Sequence, residues 1–421
     1  MNQLDSNVSS SRQGATDEPS LAHAHPSAFP VPRRHGPDIN KARREATPLL
    51  WGHPKRASAD PDPVEWHQLG CTLLEGDPLA DDVAAWIRAQ PRSEGWRRLE
   101  QGLAGGADAV ADVPVLHRYF ELANALPPWL DRASLERGLD ASARSGLMGM
   151  RVLRDLGLMA GYRASAINQT LVRTGALEAS AQKRVAETTR WWMACMEPGG
   201  LRPGGAGVRA TLKVRVIHAL VRATILDSGT WDREELGVPV NQLDMQATYL
   251  AFSVLFLFGQ RFVGVPVAAR DAQDVMHLWR YIGWLMGVKD SLLVESESDG
   301  RLALYRNLLS QPAADRTSQQ LGRALMDEPL DRNYPNFKKF RGWWNKHVHL
   351  SIVRFFIGST GMRELGLPAW VMPWYPMLWG PPHFVVRSLL SVVPAAQRWM
   401  VVHGRRRQKA LMVTLEHPTA R

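Results

Sequence analysis

From Glu65 onward the chain is a succession of amphipathic stretches of helical length, cut apart by Gly and Pro, and no convincing run alternates with the two-residue period of a strand. That pattern points to an all-α fold. Helices are expected at Asp81–Gln90, Val115–Ala125, Leu135–Gly161 with a break near Gly157, Ala164–Thr174, Ser180–Met196, Val208–Leu226, Asn241–Phe258 and Ala268–Leu285, then at Ser318–Met326 and Asn336–Phe356. Ser180 and the Asn241/Asp244 pair have the chemistry of helix N-caps. The prolines of LPAWVMPWYPMLWGPP, Leu367–Pro382, argue against one continuous helix there. A last helix is expected from His383 to about Gly404.

Residues 1–60 are rich in Ser, Pro, Ala, His and Arg without a sustained period, and read as a disordered leader. One helical domain over 61–405 fits the remainder better than several small ones, with a basic tail over 406–421. The N-terminus lacks the apolar core of a secretory signal, and no apolar segment follows Arg33-Arg34. The longest apolar run, Tyr249–Gly259, is too short to span a bilayer. A cytoplasmic protein is expected, with peripheral membrane contact left open. The net charge of +10 is read as surplus surface arginine. No Lys/Arg run is interleaved with aromatics as a nucleic-acid groove needs, so no nucleic-acid partner is expected.

Several chemistries are absent. Cys71 and Cys195 form no framework, zinc cluster or CxxCH haem-attachment site. There is no HExxH, phosphate loop, GxSxG or dinucleotide fingerprint, which weakens the hydrolase, kinase and NAD-enzyme classes.

The segment TLKVRVIHALVRATI, Thr211–Ile225, carries the most chemistry. At helical spacing Val214, Ile217, Val221 and Ile225 form an apolar stripe, with Arg215, His218 and Arg222 beside it. Cations on a buried-looking helix are costly unless an anion meets them. A haem would supply an iron for a neutral imidazole, apolar faces, and two propionates for arginine. Alternatively, His218 is an ordinary polar side chain and the arginines pair with Asp or Glu elsewhere. A second segment, QKRVAETTRWW, sets Arg184 and Thr188 on one helix face, where they could hold a propionate or a distal ligand, or could be ordinary solvated residues. His347 and His349 lie two apart and do not share a helix face, so no metal site is expected there.

These residues, together with LPPWLDRASLERG (Leu126–Gly138), Gly161-Tyr162, Thr174-Gly175, GVPVNQLDMQAT (Gly237–Thr248) and WRYIGWLMGV (Trp279–Val288), resemble the rubber oxygenases and the wider MpaB-type oxygenase domain. The motifs cover roughly 120–295, with a looser match through LGLPAW. The resemblance implies a globin-like helical core around haem b, with His218 as proximal iron ligand. It maps Arg184 and Thr188 onto the family's RxxxT pair and Arg222 onto the arginine following the haem histidine. Two positions depart from it. Glu187 stands where rubber oxygenases are expected to carry a lysine that serves as a distal ligand, and Asn168 stands where a glutamate is expected as general base. Asn accepts no proton at neutral pH.

The reading that follows is a haem b-dependent oxygenase using O2 on an unsaturated hydrophobic, isoprenoid-type small molecule. Arg184, Thr188 and Glu187 would act at the distal side, and His218, Arg215 and Arg222 would hold the cofactor. Rubber itself fits poorly, and the oligomeric state is not indicated. The alternatives are a haem sensor or carrier without catalysis, and a cofactor-free helical protein of the membrane surface.

Overall fold

The computed structural model describes residues 30–175 and 181–416. Nineteen α-helices and no strand are present among them. The N-terminal group is α1 (Ile39–Ala46), α2 (Pro63–Cys71), α3 (Pro78–Ala89), α4 (Arg92–Gly105) and α5 (Pro114–Asn124). The central group is α6 (Arg132–Arg144), α7 (Gly146–Val152), α8 (Ser165–Arg173), α9 (Ala181–Met196), α10 (Ala206–Asp227), the short α11 (Arg233–Leu236), α12 (Gln242–Leu250), α13 (Phe256–Phe262) and α14 (Ala269–Leu285). The C-terminal group is α15 (Glu297–Ser310), α16 (Arg316–Asp331), α17 (Lys338–Glu364), α18 (Trp374–Ser391) and α19 (Pro394–Leu415).

Polar caps start many of these helices. The Asn241 side chain accepts from the Asp244 N–H at 3.0 Å and donates to its carboxylate at 2.8 Å, which opens α12 as expected. Asp62 with Glu65 and Asp315 with Ser318 make reciprocal capping boxes. The Ser180 cap lies outside the described residues. The expected break near Gly157 falls in a π-helical stretch, Leu153–Met159, and a second one, Ala251–Leu255, packs against it.

The core lies where α14 meets α6 and α10 meets α3 and α9. Trp192, Tyr119, Tyr281 and Phe256 are buried there, and Trp279 stacks on Phe252 with ring centres 4.9 Å apart. Two glycines allow close helix crossings. A Cβ on Gly138 would stand 2.5 Å from the Asp274 carbonyl of α14, and one on Gly404 would strike the Ala143 carbonyl of α6.

Order begins inside the stretch expected to be a leader. Residues 1–29 lie outside the described residues, but from residue 30 the chain is tied down. Arg34 is 1% exposed and forms a two-pronged ion pair with Asp244, one arm at 3.0 Å. Arg163 meets Glu45 at 2.5 Å, and α1 packs on α15. These are long-range charge contacts, which periodicity cannot reveal. The C-terminus also differs. α18 runs through Pro381 and Pro382. Each proline costs a backbone hydrogen bond, but Met377 and Leu378, four residues before them, are exposed, so water can take the freed carbonyls. A break at Val392–Val393 replaces the expected mid-helix, and α19 continues through most of the expected basic tail.

Replacing Arg34 with Ala strands the Asp244 carboxylate in the core. A loss of ~3–5 kcal/mol is expected in urea unfolding; a loss below ~1 kcal/mol, as for an exposed pair, would show that this segment is not anchored. His35 gives a pH signature. Its ring stacks on Trp66, its Nδ1 lies 2.7 Å from the Ser310 hydroxyl, and Nε2 donates to the Trp66 carbonyl at 3.0 Å. Burial holds its pKa down at about 4. The unfolded chain binds this proton below about 6.5 and the fold does not, so His35 withdraws stability as pH falls from about 6.5 through about 4. The urea midpoint should drop over that window less steeply in His35→Gln; parallel pH profiles would refute this role.

Candidate functional site

The site is built on a helical hairpin. Trp191 of α9 donates from Nε1 to the Thr211 hydroxyl of α10 at 3.0 Å, and the Cys195 sulfur lies 3.9 Å from the Gly207 carbonyl. Four residues down one helix match four up the other. The same antiparallel register sets Thr188 level with Val214, and Arg184 level with His218.

The inward face of α10 is not the one expected. Leu212, Val216, Ala219 and Ile225 are buried, whereas Val214 and Val221 are half-buried and Ile217 is 37% exposed. The Val214/Ile217/Val221 stripe therefore lines an accessible side, with His218 at its edge, between it and Arg222. The His218 Nδ1 is sealed from solvent without a hydrogen-bond partner. Burial first, then the nearby Arg222 charge, pushes the imidazole down to about 4, against a smaller pull from Asp77. At neutral pH the ring is thus an uncharged donor on an apolar wall.

On α9, Arg184, Glu187, Thr188 and Trp191 share one face. Arg184 is half-buried, lies beside the Tyr162 hydroxyl, and has a sealed Nε without a partner. Glu187 and Thr188 are exposed. Burial raises the Tyr162 phenol, so it stays protonated as a neutral neighbour for Arg184.

Arg215 and Arg222 find their anions in the protein. Arg215 grips Asp77 through Nε at 2.6 Å and through Nη2 at 2.9 Å, and reaches the Leu285 carbonyl at 3.3 Å. Arg222 pairs with Asp81 and donates to the Pro239 and Val240 carbonyls at 3.1 and 2.9 Å. Arg215 points at the start of α3 and the end of α14, and Arg222 at α3 and the GVPV loop, so both guanidiniums are engaged by protein groups where the resemblance implies propionates. The two arginines hold α10 on the flank next to His218, whose imidazole feels both the Arg222 and the Asp77 charge. Sequence reasoning missed Asp77 and Asp81. The available signal was their own spacing of four residues at the start of α3, one turn apart on one helix face, where they meet Arg215 and Arg222 two turns apart on α10.

Asn168 is 1% exposed and donates to the Tyr162 carbonyl at 2.7 Å and the Ser318 hydroxyl at 3.1 Å. It stitches α8 to its neighbours. His277 accepts from the Asp131 N–H at 2.9 Å, and His347 sits 2.8 Å from the Trp343 carbonyl. His349 is buried against Asp155 at 2.8 Å, in a network with Arg154, Glu328 and Arg332. No cluster of three His, Cys, Asp or Glu suited to a metal occurs among the described residues.

The helical arrangement is similar to that of a known structure, the latex clearing protein LCP in its closed state. The TM-score is 0.57 over 83% of this chain and 94% of that one, at 20% identity. Residues 144–380 match the family described as ER-bound oxygenase mpaB/B'/Rubber oxygenase, catalytic domain. That is more than half of the chain, and the chain belongs to this family. It is also 27% identical over 202 residues to the rubber oxygenase of Streptomyces sp. (strain K30), an alignment covering 47% of this chain and about half of that protein, 48%.

Asp77→Ala leaves Arg215 buried and unpaired, and should cost ~3 kcal/mol or more in urea unfolding. Arg33→Ala removes exposed pairs with Asp232 and Glu235 and should cost under ~1 kcal/mol. Equal losses would mean that α10 is not pinned through α3.

Proposed function

We propose that this protein is a haem b-dependent oxygenase that uses O2 on an unsaturated hydrophobic substrate of isoprenoid type. The observation that carries the reading is an uncharged histidine, His218, set in an apolar wall that is accessible instead of packed into the core. A helix ordinarily turns such residues inward. A flat apolar group with a metal at its centre accounts for both halves of this arrangement. The residues present fit the group. The Nδ1 of His218 is sealed, so Nε2 is the nitrogen left to reach iron. Val214, Ile217 and Val221 would lie along the macrocycle. Arg184, level with His218 across the hairpin and with an unsatisfied Nε, would meet a propionate or a polar oxygen ligand. With no CxxCH motif, the attachment would be non-covalent.

When bound, the haem supplies the iron that activates O2. The chain orients and excludes. Thr188 offers a hydroxyl on the α9 face. Glu187 is the single acid on α9 and takes the role of proton acceptor that Asn168, bound up in hydrogen bonds, does not fill. Trp191 and Phe252, with ring centres 5.4 Å apart, give a dry aromatic floor next to that face. One observation favours a second reading, a haem protein that binds O2 without turnover: Glu187 is exposed, and no buried carboxylate stands on the α9 face.

The test is an optical spectrum after haem reconstitution, with wild type beside His218→Ala. A b-type Soret band is expected in the wild type, lost or strongly weakened in the variant at unchanged helical content. An identical spectrum in the variant would remove His218 as ligand. Oxygen uptake with product formation from a polyunsaturated isoprenoid separates the oxygenase from the non-catalytic reading, and Glu187→Gln should lower the rate at least ~tenfold if that carboxylate moves the proton.

A further inference from the structure

The basic surplus of the chain is confined to its C-terminal helices. Residues 332–415 hold thirteen Lys and Arg and one acid, Glu364, for a net charge of +12, while the whole chain carries +10. The remainder is thus slightly acidic. Glu364 is spent on Lys41 and Arg163, at 2.6 and 2.7 Å. Lys338, Lys339, Arg398, Arg406 and Arg407 are exposed.

The same segment is apolar on its water side. Along α18 and onto its C-cap, Leu378, Val385, Leu389 and Val392 follow at helical spacing and are all exposed, Leu389 at 66% and Val392 at 76%. α17 and α19 flank α18, each packed against it. α17 adds Phe340 and Trp344, 6.5 Å apart, and Trp344 continues to Trp374 at 5.4 Å. On α19, Trp399 and Val402 are exposed beside Arg398 and Arg406. An apolar helix face turned to water marks a surface with a partner. Most of this one lies beyond residue 380, outside the segment that matches the family.

The charge selects the partner. Acids from outside the segment meet Arg332, Lys346, Arg405 and Lys409, but the exposed Lys338, Lys339, Arg398, Arg406 and Arg407 remain as a positive surplus. A second copy would set the same surplus against the first, and the centre of a protein interface is depleted of charge. An anionic bilayer supplies what each residue type needs: acyl chains for Leu, Val and Phe, the headgroup boundary for Trp, and phosphate or carboxylate for Lys and Arg. No helix among the described residues is long and apolar enough to cross a membrane. We propose that α17, α18 and α19 form a docking surface that lies on an anionic lipid bilayer. Neither the haem nor the oxygenase reading is needed for it.

The experiment is co-sedimentation of the full chain with vesicles of phosphatidylcholine alone and of phosphatidylcholine mixed with phosphatidylserine. Binding should be at least ~tenfold tighter on the anionic vesicles and should weaken at high salt. Val385→Asp with Leu389→Asp changes exposed side chains only, so the circular dichroism should stay unchanged while vesicle binding falls at least ~fivefold. Arg406→Glu with Arg407→Glu should reduce the preference for phosphatidylserine. Failure to pellet, equal binding to both vesicles, or wild-type binding by the Asp variant would overturn the proposal. Self-association in ultracentrifugation, abolished by Leu389→Asp and without vesicle binding, would assign the face to a second copy instead.

Discussion

A guanidinium taken out of water must meet an anion, and the placement of α10 follows from where its two arginines do so. Arg215 and Arg222 lie two helical turns apart and reach Asp77 and Asp81, one turn apart on α3. Two charged hydrogen-bonded contacts at separate heights fix both the rotation and the slide of one helix on another, which apolar packing alone specifies less sharply. With that flank held, His218 stays beside the ion pairs, and Val214, Ile217 and Val221 follow on the side of it away from them. The apolar side of α10 is therefore bordered by the ion pairs, which fix the direction it faces.

The GVPVNQLD loop carries this constraint into the rest of the molecule. Its Pro239 and Val240 carbonyls accept from Arg222, Gln242 reaches the Gly76 and Gly287 carbonyls, and Asp244 takes the buried Arg34. One short segment thus joins the start of α3, the end of α14 and the N-terminal strap. Each contact satisfies a polar group that burial would otherwise penalise.

The helical class and most of the elements from α3 to α14 could be read from the sequence because their apolar spacing and caps are local properties. The RxxxT pair and His218 could be named for the same reason: they sit in short motifs on single helices. What could not be read is non-local. The anions for Arg215 and Arg222 come from more than a hundred residues upstream, and the partner of Arg34 lies 210 residues away. Those pairings decide that residues 30–60 are built into the fold, and that the stripe beside His218 opens outward. The helix through Pro381 and Pro382 was hidden for a different reason. A proline inside a helix loses a hydrogen bond and crowds the carbonyl four residues back, and whether the surroundings offset that cost is a tertiary property.

Two accessible apolar surfaces stand out among the described residues, and their surroundings give them different chemistry. Beside His218 the nearby cations Arg215 and Arg222 are paired with Asp77 and Asp81, so the wall is suited to the apolar face of a macrocycle or to a hydrocarbon. Along α18 the exposed cations, among them Arg398, Arg406 and Arg407, outnumber the acids that reach this segment, so the face is suited to an occupant that is apolar and anionic at once. Burying either surface in water-excluded contact gains the same hydrophobic term per unit area. The uncompensated charge is what distinguishes them, and it separates a site for a small apolar group from a surface for a lipid sheet. A lipophilic substrate dissolved in such a sheet would be delivered at the concentration of the membrane phase, which gives the two surfaces a physical reason to occur on one chain.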